Sequence, residues 1–179
     1  MKRPTTYPPL ARTLHWVTAV CVVTAICLGI AMLQAPSGPV QNTLFDLHRS
    51  FGALILVLAV ARWANRLGGG TPPTYPVEPR WQRLAARGVH DLLYLLLLVL
   101  PLLGWLGTSA YGAPITVFWL FELPPLVGKD EGLAEKILPV HATLGLVMAG
   151  LVVLHVAAAL HHHFVRRDRV LLRMWRGVA

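Results

Sequence analysis

The chain has 179 residues, 55% of them apolar and only 13% charged, with a mean hydropathy of +0.58. A soluble domain carries roughly 25% charged residues, so this composition excludes an ordinary water-soluble enzyme and points to lipid as the solvent. The formal charge of +8 suits either nucleic acid or a membrane surface, and its distribution along the chain decides between them.

Lys2 and Arg3 lead into a first apolar run at about residues 12–33. A basic leader before an apolar run also marks a signal peptide. This run is long for one, however, and ends in Leu33-Gln34-Ala35-Pro36 with no small-x-small cleavage site, so a retained helix is expected. Cys21 and Cys27 lie within it, six residues apart and therefore on different helix faces. They read as small apolar fillers, and no C-x-x-C-H occurs that would attach a c-type haem. A second run covers about 46–67, a third about 88–107 and a fourth about 137–164. Each is near the roughly 20 residues that a bilayer core requires of a helix. Pro101 in the third run is tolerated in a membrane helix whose neighbours satisfy the freed carbonyl. The expected fold is all-α, an integral membrane four-helix bundle forming a single domain over residues 1–179.

Two connections stand out. After the second run, Gly68-Gly69-Gly70 ends the helix and the prolines from Pro72 to Pro79 force an extended path. Arg80 to Arg87 then begins an interfacial helix with Trp81 at headgroup depth. His90 and Asp91 open the third span, Asp91 serving its N-terminus and His90 solvated beside it, with a proton relay as the alternative. Between the third and fourth runs, Ile115 to Leu123 is apolar but too short to span; Pro114, Pro124 and Pro125 bracket it as an interfacial lid.

Four spans put both termini on one side. Thirteen of the 16 lysines and arginines fall on that side, and only Arg49, Lys129 and Lys136 fall on the other. The positive-inside rule therefore places both termini in the cytoplasm. The basic charge is accounted for by orientation and lipid headgroups, so no nucleic-acid partner is expected.

The chemistry rests on four of the eight histidines: His15, His48, His141 and His155. Ionisable residues inside membrane helices are costly and usually face the bundle for a functional reason. His15 lies at the cytoplasmic start of the first helix, His48 at the outer start of the second and His141 at the outer start of the fourth. His155 follows His141 by 14 residues, roughly 21 Å along the axis and close to the same face. His48 with His141, and His15 with His155, then make two facing pairs at two depths. Ala19, Gly52, Gly145 and Ala159 stand four residues after the four histidines and leave room beside each. Two imidazoles and four porphyrin nitrogens make six-coordinate iron suited to electron transfer, so two haem b groups are expected. Zinc or copper, and ordinary polar packing, are the alternatives; zinc usually gathers four ligands at one level, often with thiolate or carboxylate. Arg49 beside His48 suits a haem propionate or a lipid headgroup, and Arg12 suits the same role near His15. His161, His162 and His163 read as a solvated helix end, with a metal tract or a quinone contact as alternatives.

With these residues in place, the sequence resembles the bacterial cytochrome b561 family of the cytoplasmic membrane. The likeness is carried by Leu14-His15-Trp16, by His48 with Gly52, by Tyr94 and Pro101-Leu102-Leu103-Gly104, by His141 with His155, and by the tail from Leu154 to Met174. It implies a four-helix dihaem cytochrome with the same histidine pairing. It also implies ubiquinone as electron acceptor and superoxide as the outer-face donor of an oxidoreductase. The outer loops carry Asp46, Glu122, Asp130, Glu131 and Glu135 against three basic residues, a balance that does not by itself steer an anion. Two other functions stay open: a membrane cytochrome subunit relaying electrons for a larger dehydrogenase, and a non-redox metal-handling membrane protein. No catalytic residue is assigned.

Overall fold

The computed structural model describes residues 6–68 and 79–176. Lys2, Arg3 and the glycine- and proline-rich connection from Gly69 to residue 78 lie outside the described residues. Four long helices dominate: α1 (Pro9–Gln34), α2 (Pro39–Leu67), α3 (Arg80–Tyr111) and α4 (Glu131–Phe164). All four are long and apolar enough to cross a membrane. A short hairpin, β1 (Ile115–Val117) and β2 (Phe121–Leu123), lies between α3 and α4, and α5 (Val170–Trp175) follows α4.

The helix ends follow local chemistry. Pro9 and Pro39 sit at the first helical turn, where the missing N–H costs nothing. Ala35, forced out of helix by Pro36, ends α1 in an extended conformation. Gly112 closes α3 in the left-handed region at φ 84°. Asp130 caps α4, its carboxylate accepting the Leu133 N–H at 3.0 Å. Both Pro101 and Pro139 are carried inside continuous helices.

All four helices begin earlier than the hydropathy runs, α1 by three residues at Pro9 and the others by six to eight: α2 at Pro39 rather than 46, α3 at Arg80 rather than 88, and α4 at Glu131 rather than 137. The first turns of α2, α3 and α4 are polar and project beyond an apolar slab, so hydropathy does not register them. The segment from Arg80 is therefore no separate interfacial helix. Asp91 does not open α3; it lies three turns inside and pairs with Arg66 at 3.0 Å.

The helices pack chiefly as α1 with α2 and α3 with α4. Cys21, Val22, Ala25, Ile55, Ala59, Leu96, Leu97 and Met148 form the buried core. Between 6% and 28% of each span's most apolar window is buried, and Val20, Val57, Leu146 and Val153 point outward. That inversion of the soluble pattern is what a bilayer solvates. Cys21 is buried, Cys27 exposed, and both are free thiols.

At one end, Trp16 Nε1 donates to the Met174 carbonyl at 3.2 Å, joining the two terminal segments. Tyr7 lies there too; burial lifts its phenol above the ordinary range, against the lowering pull of Arg173. The opposite end carries the hairpin. The Ile115–Leu123 segment is thus an antiparallel pair, Ile115 facing Leu123 and Val117 facing Phe121. Its turn holds Phe118 and Trp119 at φ 46° and 59°, an uncommon conformation for bulky residues. Ser50 fastens it: its hydroxyl accepts the Phe118 N–H at 2.8 Å, and its single proton lies between the Asp46 carbonyl at 2.7 Å and the Thr116 carbonyl at 3.2 Å. Phe118 also packs edge-on against Phe51 at 5.4 Å.

Candidate functional site

Each spanning helix carries two inward positions 14 residues apart: His15 and Gly29 on α1, His48 and Arg62 on α2, His90 and Gly104 on α3, His141 and His155 on α4. Fourteen residues are close to four whole turns. The eight positions therefore stack as two tiers, one near the hairpin and one near the termini.

In the hairpin-side tier, His48 and His141 face each other with ring centroids 6.0 Å apart and planes at 90°. Each ring lies across a glycine of a neighbouring helix. A Cβ at Gly29 would stand 3.1 Å from His48 Cε1, and one at Gly104 would stand 3.2 Å from His141 Cε1. The close approach carries His48 Nδ1 to the Ala25 carbonyl at 2.9 Å and His141 Nδ1 to the Leu100 carbonyl at 3.0 Å. Each carbonyl belongs to the residue four before the glycine. A carbonyl only accepts, so both Nδ1 atoms carry the proton and both Nε2 atoms are left as metal donors.

In the terminus-side tier, His15 and His155 stand 6.1 Å apart, but their neighbours are side chains. Arg62 Nη1 is 3.3 Å from His15 Nδ1 and Nη2 is 3.4 Å from the Tyr94 hydroxyl. His90 meets His155 edge-on at 5.2 Å, so it touches the candidate pair while the rest of its surface stays exposed. Arg12 Nε, Arg62 Nε and Trp63 Nε1 are buried without a hydrogen-bond partner among the described residues.

A metal bound by two imidazoles at about 2 Å from each nitrogen separates the ring centroids by roughly 6 Å, which is the spacing in both tiers. Among the described residues no three His, Cys, Asp or Glu side chains form a metal-sized group. A cavity of about 800 Å³ opens beside the hairpin-side pair, lined in part by His48, Arg49, Gly52, Gly104, Phe118 and His141. That size suits a large, mostly apolar ligand. A Cβ at Gly52 or Gly145 would meet nothing within 4 Å. The residues thus fit a porphyrin: apposed imidazoles, space beside the rings, and unsatisfied cationic nitrogens.

A sequence model of prokaryotic cytochrome b561 matches residues 6–177. The chain belongs to the prokaryotic cytochrome b561 family. It is 33% identical over 173 residues to Cytochrome b561 homolog 2 of Escherichia coli K12, covering 96% of this chain and 92% of that protein. It is 31% identical to the Probable superoxide oxidase CybB of Yersinia pestis, over 94% of both chains. Cytochrome b562 of Cereibacter sphaeroides is 30% identical over 95% of both. This cytochrome b561 family member is a bacterial membrane haem protein of electron transport.

The other sequence candidates fall as follows. Arg49 lines the cavity, pairs with Asp46 at 3.3 Å and donates to the Pro114 carbonyl at 3.4 Å. Arg12 reaches the Trp175 carbonyl at 3.5 Å. His161, His162 and His163 lie within α4, and His162 is held by Asp168 at 2.6 Å. Gly29, Arg62 and the His90 contact escaped the sequence reading, although the 14-residue offset from His15, His48 and Gly104 marks them.

Proposed function

We propose that the protein is a dihaem b cytochrome of the bacterial cytoplasmic membrane, with both termini in the cytoplasm, that takes electrons from superoxide at the outer face and delivers them to ubiquinone. The observation that carries the proposal is the pair of apposed imidazole sets, at 6.0 and 6.1 Å, inside an apolar bundle. His48 and His141 would hold one haem at the outer face, and His15 and His155 the other at the inner face. The haem iron would supply one-electron transfer.

The chain's own residues do the rest. The Ala25 and Leu100 carbonyls fix the tautomer and plane of the outer imidazoles and raise their basicity. The hairpin, pinned by Ser50, covers the outer cavity and limits water there. Arg49 brings a positive charge to the cavity wall that suits a porphyrin carboxylate. Superoxide as donor is supported by the relative named as a probable superoxide oxidase. Two superoxide ions leave as two molecules of oxygen, and ubiquinone gains two electrons and two protons to become ubiquinol.

The excess of acidic over basic residues in the outer loops favours a second reading, a membrane subunit that docks a redox partner rather than an anion. Superoxide-driven ubiquinone reduction by the purified protein separates them. Turnover with no added protein is expected, and its absence in protein that retains haem would overturn the superoxide assignment.

A further inference from the structure

The two tiers differ at the positions that flank their histidines. Gly29 and Gly104 flank the hairpin-side pair; Arg62 and His90 flank the other. Arg62 is the anomaly. It lies fourteen residues after His48, inside a membrane-spanning helix. Its contacts are all neutral: the His15 ring nitrogen, the Tyr94 hydroxyl and the Tyr94 ring face at 5.1 Å. Its Nε is buried with no hydrogen-bond partner among the described residues. Among the described residues no carboxylate lies within ion-pair distance of it, whereas Arg66, one turn on, has Asp91 at 3.0 Å and Arg49 has Asp46 at 3.3 Å. A cation at this depth is retained where an anion compensates it.

The contact with His15 sharpens the point. A guanidinium only donates, so Arg62 at His15 Nδ1 leaves that ring's proton on Nε2. An imidazole that binds iron through Nε2 carries its proton on Nδ1 and offers Arg62 nothing to donate to. Arg62 then needs another acceptor, and no described residue of opposite charge supplies one.

Resting on the dihaem proposal, we infer that Arg62, with Tyr94, is an anion site that holds a carboxylate of the porphyrin between His15 and His155. Its charge favours the reduced iron there and so keeps that haem's reduction potential above the one set by His48 and His141. Arg62 is a positioning residue. It turns the pair of tiers into a downhill path towards the termini.

The test is potentiometric titration of the full-length, haem-loaded protein in lipid nanodiscs, comparing wild type with Arg62→Gln and Arg62→Lys. His155→Ala, which retains only the other haem, assigns the two couples. In Arg62→Gln the reduced-to-oxidised ratio of the terminus-side haem at fixed ambient potential should fall tenfold or more, about 59 mV for one electron. The other couple should stay put, and Arg62→Lys should recover most of the shift. Loss of the terminus-side haem in Arg62→Gln, with retention in Arg62→Lys, supports the same site. Both haems present with both potentials unmoved in Arg62→Gln would overturn it. So would equal haem loss in the two variants, which marks a packing role. A wild-type terminus-side couple that shifts between zwitterionic and anionic nanodiscs would assign Arg62 to a lipid phosphate and overturn it as well. Two haems surviving in His155→Ala would instead refute the ligand pairing on which the inference stands.

Discussion

The two histidine tiers are built from the same 14-residue frame and differ in what surrounds the rings. Near the hairpin, glycine and backbone carbonyls do the positioning: Gly29 and Gly104 admit the rings, and Ala25 and Leu100 orient them. Near the termini, Arg62, His90 and Tyr94 take those places. The hairpin-side rings are oriented by backbone, and Arg49 on the cavity wall pairs with Asp46. The terminus-side rings have a guanidinium within hydrogen-bond reach and no described carboxylate beside it. Under the proposed function, that tier is the one whose potential a side-chain change should move most.

The largest effect that bears on this contrast comes from the rings themselves. His155→Ala should abolish haem at the terminus-side tier and retain the other; His48→Ala should do the converse. Haem quantitation per chain checks both, and loss of both haems from either variant would show that the tiers are not independent. Next is Gly104→Val, which forces a branched side chain into a position where a Cβ alone is 3.2 Å from His141 Cε1. Overpacking of this kind costs about 1–3 kcal/mol, so thermal stability should fall and haem loss should be confined to the hairpin-side tier. A variant that loses haem from the other tier instead would contradict the assignment of Gly104. Smaller is Ser50→Ala, which removes the acceptor of the Phe118 N–H and the proton shared between the Asp46 and Thr116 carbonyls. Each such bond contributes about 0.5–1.5 kcal/mol net; hydrogen exchange should quicken in the hairpin while the terminus-side tier keeps its potential. Smallest is Lys129→Glu, which reverses a charge on the hairpin-bearing loop. Superoxide-driven reduction should slow modestly, more at low ionic strength, and an unchanged rate at low salt would remove steering from the account.

The spans were legible because a membrane helix must show a long apolar run, and all four do. Their starts were not, because the turns Pro39 to Leu44, Arg80 to Arg87 and Glu131 to Lys136 are too polar to count as span. Pro39 at a first turn and Asp130 as a cap were the readable signals there. The hairpin was hidden for another reason: three-residue strands give too few alternations to register, and its turn uses Phe118 and Trp119 where glycine is usual. In the candidate site, the histidines announce themselves by being costly in lipid. Gly29 and Gly104 do not, since a glycine has no chemistry of its own, and their role appears only when another helix's ring lies over them. Arg62 was concealed by having a sufficient explanation already, as one of many basic residues that orient the chain.

The central claim is that two pairs of imidazoles each hold one haem iron. The most direct measurement is the reduced-minus-oxidised absorbance spectrum of the purified protein, with iron and haem counted per chain. A b-type α band with two haem irons per chain, resolved into two components on potentiometric titration, is predicted. Protein isolated from haem-replete cells with one haem or none, and its spectrum unchanged by reduction in the latter case, would contradict it.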